Sequence, residues 1–365
     1  MKNLVRFTVS FSVLLISKVA LATPLVCQWQ AVKVTDPSFS RSELRQYYRK
    51  VEFECEYTLK MGKVSQKLAE MGRPMGRLNY YQGLRYVDRY SFEKARRENI
   101  PLNVIFQIKP EDYEVPIAQR SHLVWDNWSK GIATLHPVKE QLRNGQPFTL
   151  EFFKQIHRSF YTADESGQYG MVMGPGTIKD AKDAEISWTL KEKQNEVAAN
   201  VQAINHMYLA LGLEPKPTEA TGFTQIMLVQ NGLLKPSHPA YSETHIKNLL
   251  SFLDRMIQNM REHKPLVWNG KIFTPRELAL FVQQTIVRIH GFHDGNGRIS
   301  RYMQDLVLAL FDMPAIPSGD LQVDDMTMLS ENYYELATRA SDHQLQVLDA
   351  CTDKRNQNFD CQLVD

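Results

Sequence analysis

Apolar residues recur at helical spacing through most of the second half of the chain. Leu278, Phe281, Val282, Thr285, Ile286 and Ile289 share one side of a helical period, and Tyr302, Met303, Leu306, Val307 and Leu310 repeat the pattern. The spacing predicts a helix over 275–290, a short glycine-bearing loop, and a second helix that starts near Asn296. Further helices are predicted at 148–161, with Phe152, Phe153, Ile156 and Phe160 on one face, and over 192–213, 242–262 and 325–349. Residues 166–180 break the periodicity. There Gly167, Gly170, Gly174, Pro175 and Gly176 surround a short Met171-Val172-Met173 run, which suits a small hairpin or an extended flap.

The first third reads differently. Over 51–60, Val51, Phe53, Cys55, Tyr57 and Leu59 alternate with Glu52, Glu54, Glu56, Thr58 and Lys60, the pattern of a half-buried strand. Residues 26–34 and 103–108 are predicted as further strands. Helical periodicity begins over 114–126. The expectation is therefore a β-rich region over 23–114, a mainly α domain over 115–349, and a tail over 350–365.

The N-terminus changes this picture. Lys2 and Arg6 precede a mostly apolar run over 7–16, and Ala20-Leu21-Ala22 forms a small-x-small cleavage pattern before Thr23. That arrangement predicts a signal peptide over 1–22 and an exported mature chain, periplasmic or extracellular, with no membrane span left after cleavage. All four cysteines, Cys27, Cys55, Cys351 and Cys361, lie beyond the cut. An even number in an exported chain points to disulfides, and three connectivities are open.

The net charge of +2 argues neither for nucleic-acid binding nor for an acidic tail. Arg73, Arg77, Arg85 and Arg89 do interleave with tyrosines over 80–90. Without a groove-reading motif this is a solvated amphipathic surface rather than a nucleic-acid site.

The candidate chemistry lies between the two central helices, where 290–301 reads His-Gly-Phe-His-Asp-Gly-Asn-Gly-Arg-Ile-Ser-Arg. Structural helices favour acids in their first turn, because the N-terminus carries partial positive charge. Arg298 and Arg301 occupy that turn instead, three residues apart and so on one face. Two cations beside unpaired backbone N–H groups are electrostatically misplaced unless an anion binds there. Gly295 and Gly297 let the backbone approach such an anion, and phosphate is the natural one.

This stretch resembles the signature of the Fic (filamentation induced by cAMP) family, His-x-Phe-x-(Asp/Glu)-Gly-Asn-Gly-Arg-x-x-Arg. It matches at His290, Phe292, Asp294, Gly295, Asn296, Gly297, Arg298 and Arg301. Similarity extends over roughly 115–349 and leaves 23–114 unexplained. It implies a Fic-type helical bundle with a small β-hairpin flap, and transfer of AMP from ATP to a Ser, Thr or Tyr hydroxyl of a target protein. By the resemblance His290 is the general base, Asp294 holds Mg²⁺ or Mn²⁺, and Gly295, Asn296 and Gly297 form an anion nest. Arg298 and Arg301 neutralise the outer phosphates, and Phe292 packs beneath the loop. The target would pair with a flap near Met171 to Gly176, although the same residues fit an ordinary surface hairpin.

The chemistry agrees with the residue types. A hydroxyl is a poor nucleophile, so a histidine base is apt, and phosphoryl-type transfer needs positioning, a metal and preorganised positive charge. The motif fixes how phosphates are held rather than which fragment moves. Transfer of UMP, phosphate or phosphocholine, removal of AMP, and a secreted binding module with a vestigial site are the other readings. His293 occupies a variable motif position, as a neighbour that at most tunes the site. Residues 327–332 match by letters an inhibitory Ser/Thr-x-x-x-Glu-Gly/Asn helix of the family. Their place directly before Tyr333-Tyr334 marks a core helix instead.

Overall fold

The computed structural model describes residues 23–72, 131, 133–161, 174–190, 193–214, 225–316, 326–353 and 355–356. The expected signal peptide, residues 73–130 with their basic and aromatic positions, the strand expected at 103–108, the domain boundary expected at 114, Met171 to Met173 of the expected flap, and Cys361 lie outside them.

The fold is mainly α, built around two consecutive helices. α7 (Pro275–Ile289) and α8 (Asn296–Leu310) pack against each other and are buried on nearly all sides. All-round burial marks them as the centre of the bundle rather than its surface. α7 begins with a capping box, in which Thr274 accepts the Glu277 N–H at 3.2 Å and Glu277 accepts the Thr274 N–H at 2.9 Å. Pro275 occupies the first helical position, where no N–H is needed.

Polar residues inside α7 are satisfied by long-range bonds. Arg288 donates to the carbonyls of Met326 and Met328 at 2.8 and 2.7 Å and to Tyr208 Oη at 2.9 Å. Gln284 donates to the Met328 carbonyl at 3.1 Å. These bonds fasten the chain just ahead of α9 (Ser330–Ala350) to the central helix. α3 (Leu135–Arg143) packs on α8, while α4 (Leu150–Ser159) and α6 (Pro239–Arg261) pack on each other. α6 also lies on α7, and α5 (Gln194–Ala210) lies beside the small sheet.

Strands are short and two of the hairpins turn on Asn-Gly. β1 (Trp188–Thr189), β2 (Leu228–Gln230) and β3 (Leu233–Lys235) form an antiparallel sheet of order β1-β3-β2, with Leu234 opposite both Trp188 and Val229. β4 (Val267–Trp268) pairs with β5 (Lys271–Ile272). Asn231-Gly232 and Asn269-Gly270 all have positive φ, the requirement of a two-residue hairpin turn of the primed type.

The expected β-rich N-terminal region is corrected where it is described. Residues expected as a strand at 26–34 begin with α1 (Leu25–Gln28) and a 3₁₀ turn (Trp29–Ala31), and 51–60 lies inside α2 (Arg41–Glu70). The physical reason is that the alternation was incidental to a longer helical stripe. Tyr47, Val51, Cys55, Thr58, Met61, Val64 and Leu68 are buried at helical spacing, whereas Leu59 of the supposed apolar face is exposed. A capping box starts the helix, with Glu43 N–H to Ser40 at 3.2 Å and Ser40 N–H to Glu43 at 2.7 Å. A Cys27–Cys55 disulfide ties α1 to α2, and Cys351 is disulfide-bonded as well. No described helix is long and apolar enough to cross a membrane.

Candidate functional site

The loop between α7 and α8 carries the site. α7 ends at His290, whose backbone is left-handed with φ 50° and ψ 44° and whose N–H still donates to the Ile286 carbonyl at 3.0 Å. A non-glycine residue seldom adopts this conformation, so the turn aims the imidazole at some conformational cost. The ring packs edge-on against Trp188, with centroids 5.3 Å apart. Nδ1 is fully buried and makes no well-formed hydrogen bond. Burial and, second, the nearby Lys179 charge lower the His290 pKa to about 4, while the Val287 main chain and Asp294 oppose the shift. The imidazole is therefore neutral at pH 7 and can accept a proton.

The other half of the loop is an anion cradle. Gly295, the N-cap of α8, has φ +76°. A Cβ there would collide with the Tyr161 hydroxyl and come within 3.0 Å of His157 Nε2, so glycine is required by conformation and by space. The N-terminus of α8 receives no side-chain cap and holds no acid in its first turn. Arg298 lies across it. Its Nη2 donates to Asp294 Oδ2 at 2.8 Å and to Tyr161 Oη at 3.3 Å, and its guanidinium covers the Tyr161 ring at 4.7 Å. Its Nη1 is buried without a hydrogen-bond partner. A buried guanidinium N–H with no acceptor is costly and invites an anionic oxygen. The Arg301 guanidinium lies against Gly297, 3.0 Å from where a Cβ would stand.

The loop therefore brings together the residues expected from sequence, with one reassignment. The Asn296 side chain is a staple rather than a lining group: Oδ1 accepts the Phe292 N–H at 2.9 Å, and Nδ2 donates to the Phe292 carbonyl at 2.7 Å. Only its main-chain N–H is left for an anion. Phe292 does pack beneath the loop, stacked on His157 with centroids 3.8 Å apart. Asp294 is half-exposed and is the carboxylate of the site; the described residues contain no cluster of three or more metal-ligating side chains. His293 lies 3.5 Å from Asp183, a distance of charge contact rather than a well-formed hydrogen bond.

Three residues of the site are not apparent from the motif. His157 accepts the Gly176 N–H at Nδ1 (2.9 Å), so its Nε2 carries the proton and donates to the Asp294 carbonyl at 2.9 Å. Burial lowers its pKa to about 4, which keeps this single tautomer. Tyr161 supports Arg298. Lys179 reaches the His290 carbonyl from the far side at 3.2 Å. Each comes from a segment remote in sequence, and the only local signal is the amphipathic face of α4 that carries His157.

The extended edge expected at Met171 to Met173 lies outside the described residues, and the segment that follows it reaches the loop. Ile178 forms an antiparallel bridge with Phe292, and the Lys179 N–H donates to the Gly291 carbonyl at 2.8 Å. Glu331 begins α9 and lines a cavity of about 400 Å³ with Lys50 and Lys271.

Residues 147–308 match the model of the family described as Fic/DOC. Among solved structures, the chain is similar to a Fic domain containing signaling protein from Bacteroides thetaiotaomicron. The identity is 15% over 84% of this chain and 89% of that one, with a TM-score of 0.37. No curated protein matches the chain.

Proposed function

Residues 147–308 of this chain are a Fic/DOC family domain, and on that premise we propose that the protein is an adenylyltransferase. It would move AMP from ATP to a Ser, Thr or Tyr hydroxyl of another protein. The observation that carries this reading is a neutral imidazole at a left-handed helix end, beside an uncapped helix N-terminus whose Arg298 holds a buried, unpartnered N–H. A proton acceptor and a phosphate cradle on one loop are the two parts that transfer to a hydroxyl requires.

In this reading the target hydroxyl gives its proton to His290 Nε2 as its oxygen bonds to the α-phosphorus. The bond from that phosphorus to the bridging oxygen breaks, and pyrophosphate leaves. Arg298, Arg301 and the first-turn N–H groups of α8 hold the outer phosphates. Bound polyphosphate adds negative charge near His290 and raises its proton affinity, which offsets the weakening caused by burial. A single half-exposed carboxylate next to an anion site suits Mg²⁺ or Mn²⁺, which takes most of its ligands from phosphate and water, so Asp294 is its residue. Such an ion would neutralise charge on the phosphates. The target would lie along the edge that runs from Ile178 toward Gly176.

The test is incubation of the full chain with labelled ATP, Mg²⁺ and a candidate lysate, followed by mass measurement of the modified protein. An added AMP that disappears in His290→Ala supports the reading. An added UMP, phosphate or phosphocholine, or loss of AMP from a modified target, would replace it with the alternative that the mass identifies. No modification by any nucleotide would leave a binding module.

We also propose that the mature chain is exported. The signal-like N-terminus carries this, together with the Cys27–Cys55 disulfide, a bond characteristic of oxidising compartments. ATP is expected to be scarce there, so delivery into another cell that supplies the nucleotide is the consistent route. A mature protein found only in the producing cell's cytoplasm, with residues 1–22 intact, would overturn this.

A further inference from the structure

Residues 176–183 run beside the His290 loop and are fastened to it at successive points. Ile178 bridges Phe292, Lys179 N–H reaches the Gly291 carbonyl at 2.8 Å, and Asp183 faces His293 at 3.5 Å, while Gly176 bonds to His157 of α4. In the middle of this rail the Lys179 side chain turns inward. It is only 5% exposed, and its Nζ donates to the His290 carbonyl at 3.2 Å. One residue therefore clamps two consecutive carbonyls, those of 290 and 291, through its side chain and its main chain.

Burying an ammonium is expensive unless the location uses it. Burial lowers the Lys179 pKa to about 8, with Asp183 opposing, so the group is still charged at neutral pH. The carbonyl it holds belongs to a left-handed histidine, a conformation the residue does not favour by itself. A donor fixed on that carbonyl fixes the plane of the 290–291 peptide, and with it the direction in which the imidazole leaves the backbone.

We propose that Lys179 is a positioning residue for the general base: its ammonium holds the His290 carbonyl in the left-handed turn and so sets the aim of the imidazole. The proposal rests on the reading of His290 as the base. The geometric claim is testable without any transfer activity, so the two can fail separately. A lysine whose stem merely fills space would leave the turn unchanged once the ammonium is removed.

The experiment compares wild type with Lys179→Met and Lys179→Arg in the full chain. The ¹³Cα and ¹³Cβ chemical shifts of His290 report its backbone conformation, and melting curves establish that each variant is folded. Lys179→Met should move the His290 shifts away from left-handed values, and Lys179→Arg should restore them. Where AMP transfer is measurable, Lys179→Met should lower kcat by about 10- to 100-fold, with KM for ATP within about twofold. A folded Lys179→Met variant with wild-type His290 shifts overturns the proposal, whatever its activity. If the Met variant does not fold, Lys179→Arg decides: wild-type shifts and kcat support the clamp, and a folded variant with altered shifts but unchanged kcat overturns it.

Discussion

The buried carboxylate of Glu54, on α2, accepts the hydroxyl of Thr274, the N-cap of α7, at 2.5 Å. The same carboxylate accepts the Arg276 N–H at 3.2 Å and the Tyr334 hydroxyl at 3.1 Å. One side chain of the N-terminal helix thus joins α2, α7 and α9 at the start of the helix that ends in His290. The Arg276 guanidinium is itself fully buried, over the rings of Tyr57 and Phe53. Glu54→Ala would leave the Thr274 and Tyr334 hydroxyls and the Arg276 N–H without their shared acceptor and should cost about 3 kcal/mol of stability, measured by urea denaturation at neutral pH.

The pH dependence of stability follows from four buried groups of opposite sign. Burial raises the pKa values of Glu54 and Glu214 from 4.5 to about 7. Their contribution is therefore fully present below pH 4.5 and lost as pH rises through 7. His157 and His290 are lowered from 6.5 to about 4, so theirs is present above pH 6.5 and lost as pH falls through 4. In the shared window the two carboxyls offset the two histidines. Wild-type stability should change little from pH 4.5 to 6.5, and Glu54→Gln should turn this into a rise of about 1.4 kcal/mol per pH unit. Denaturation midpoints across that range measure both slopes.

Imidazole titration can be followed directly by NMR. Both histidines should remain neutral to about pH 4 in the free protein, and His157 should show the Nε2–H tautomer throughout. Transfer activity should accordingly not fall between pH 8 and about pH 6 through protonation of the free base. A His290 that titrates near the ordinary histidine value would show that its site is wetter than described here.

Gly295→Ala should damage the cradle more than the fold. A left-handed alanine costs roughly 1 kcal/mol, and its methyl would displace the Tyr161 hydroxyl and His157 from beneath Arg298. Calorimetric titration with Mg·ATP should show affinity weakened by about tenfold or more, with a loss in urea stability of about 1–3 kcal/mol.

The Cys27–Cys55 disulfide closes a sequence separation of 28 residues. Chain-entropy reasoning gives it about 3.6 kcal/mol. The Cys27→Ser, Cys55→Ser double variant should lose roughly that amount in urea denaturation while the Cys351 bond stays intact.

The central helices were legible in sequence because their signals are local. The apolar period of 278–289 and 302–310, the Thr274 and Glu277 pair, and the cations at 298 and 301 all lie within a turn or two of what they specify. Residues 51–60 misled because five alternating apolar positions in a 30-residue helix mimic a strand when read alone. The Ser40 and Glu43 capping pair was the better guide. The Asn-Gly pairs at 231–232 and 269–270 signalled hairpins in segments where little strand pattern was expected. His157, Tyr161 and Lys179 could not be read as partners of 290–301, because no spacing in the chain encodes a contact between segments more than a hundred residues apart. Asn296 was legible as a motif position, and only its bonds to Phe292 reveal that the side chain braces the loop.

The rail over 176–183 is attached to the loop largely through main-chain atoms: the Ile178 bridge and the Lys179 N–H. Main-chain attachment is indifferent to the side chains that face away from it. Outward positions of this edge, such as Thr177, can therefore be exchanged without disturbing where the imidazole points, provided Lys179 is kept. Under the proposed docking of a target on this edge, a library built there would retune which protein is gripped while the machinery behind it stays unaltered.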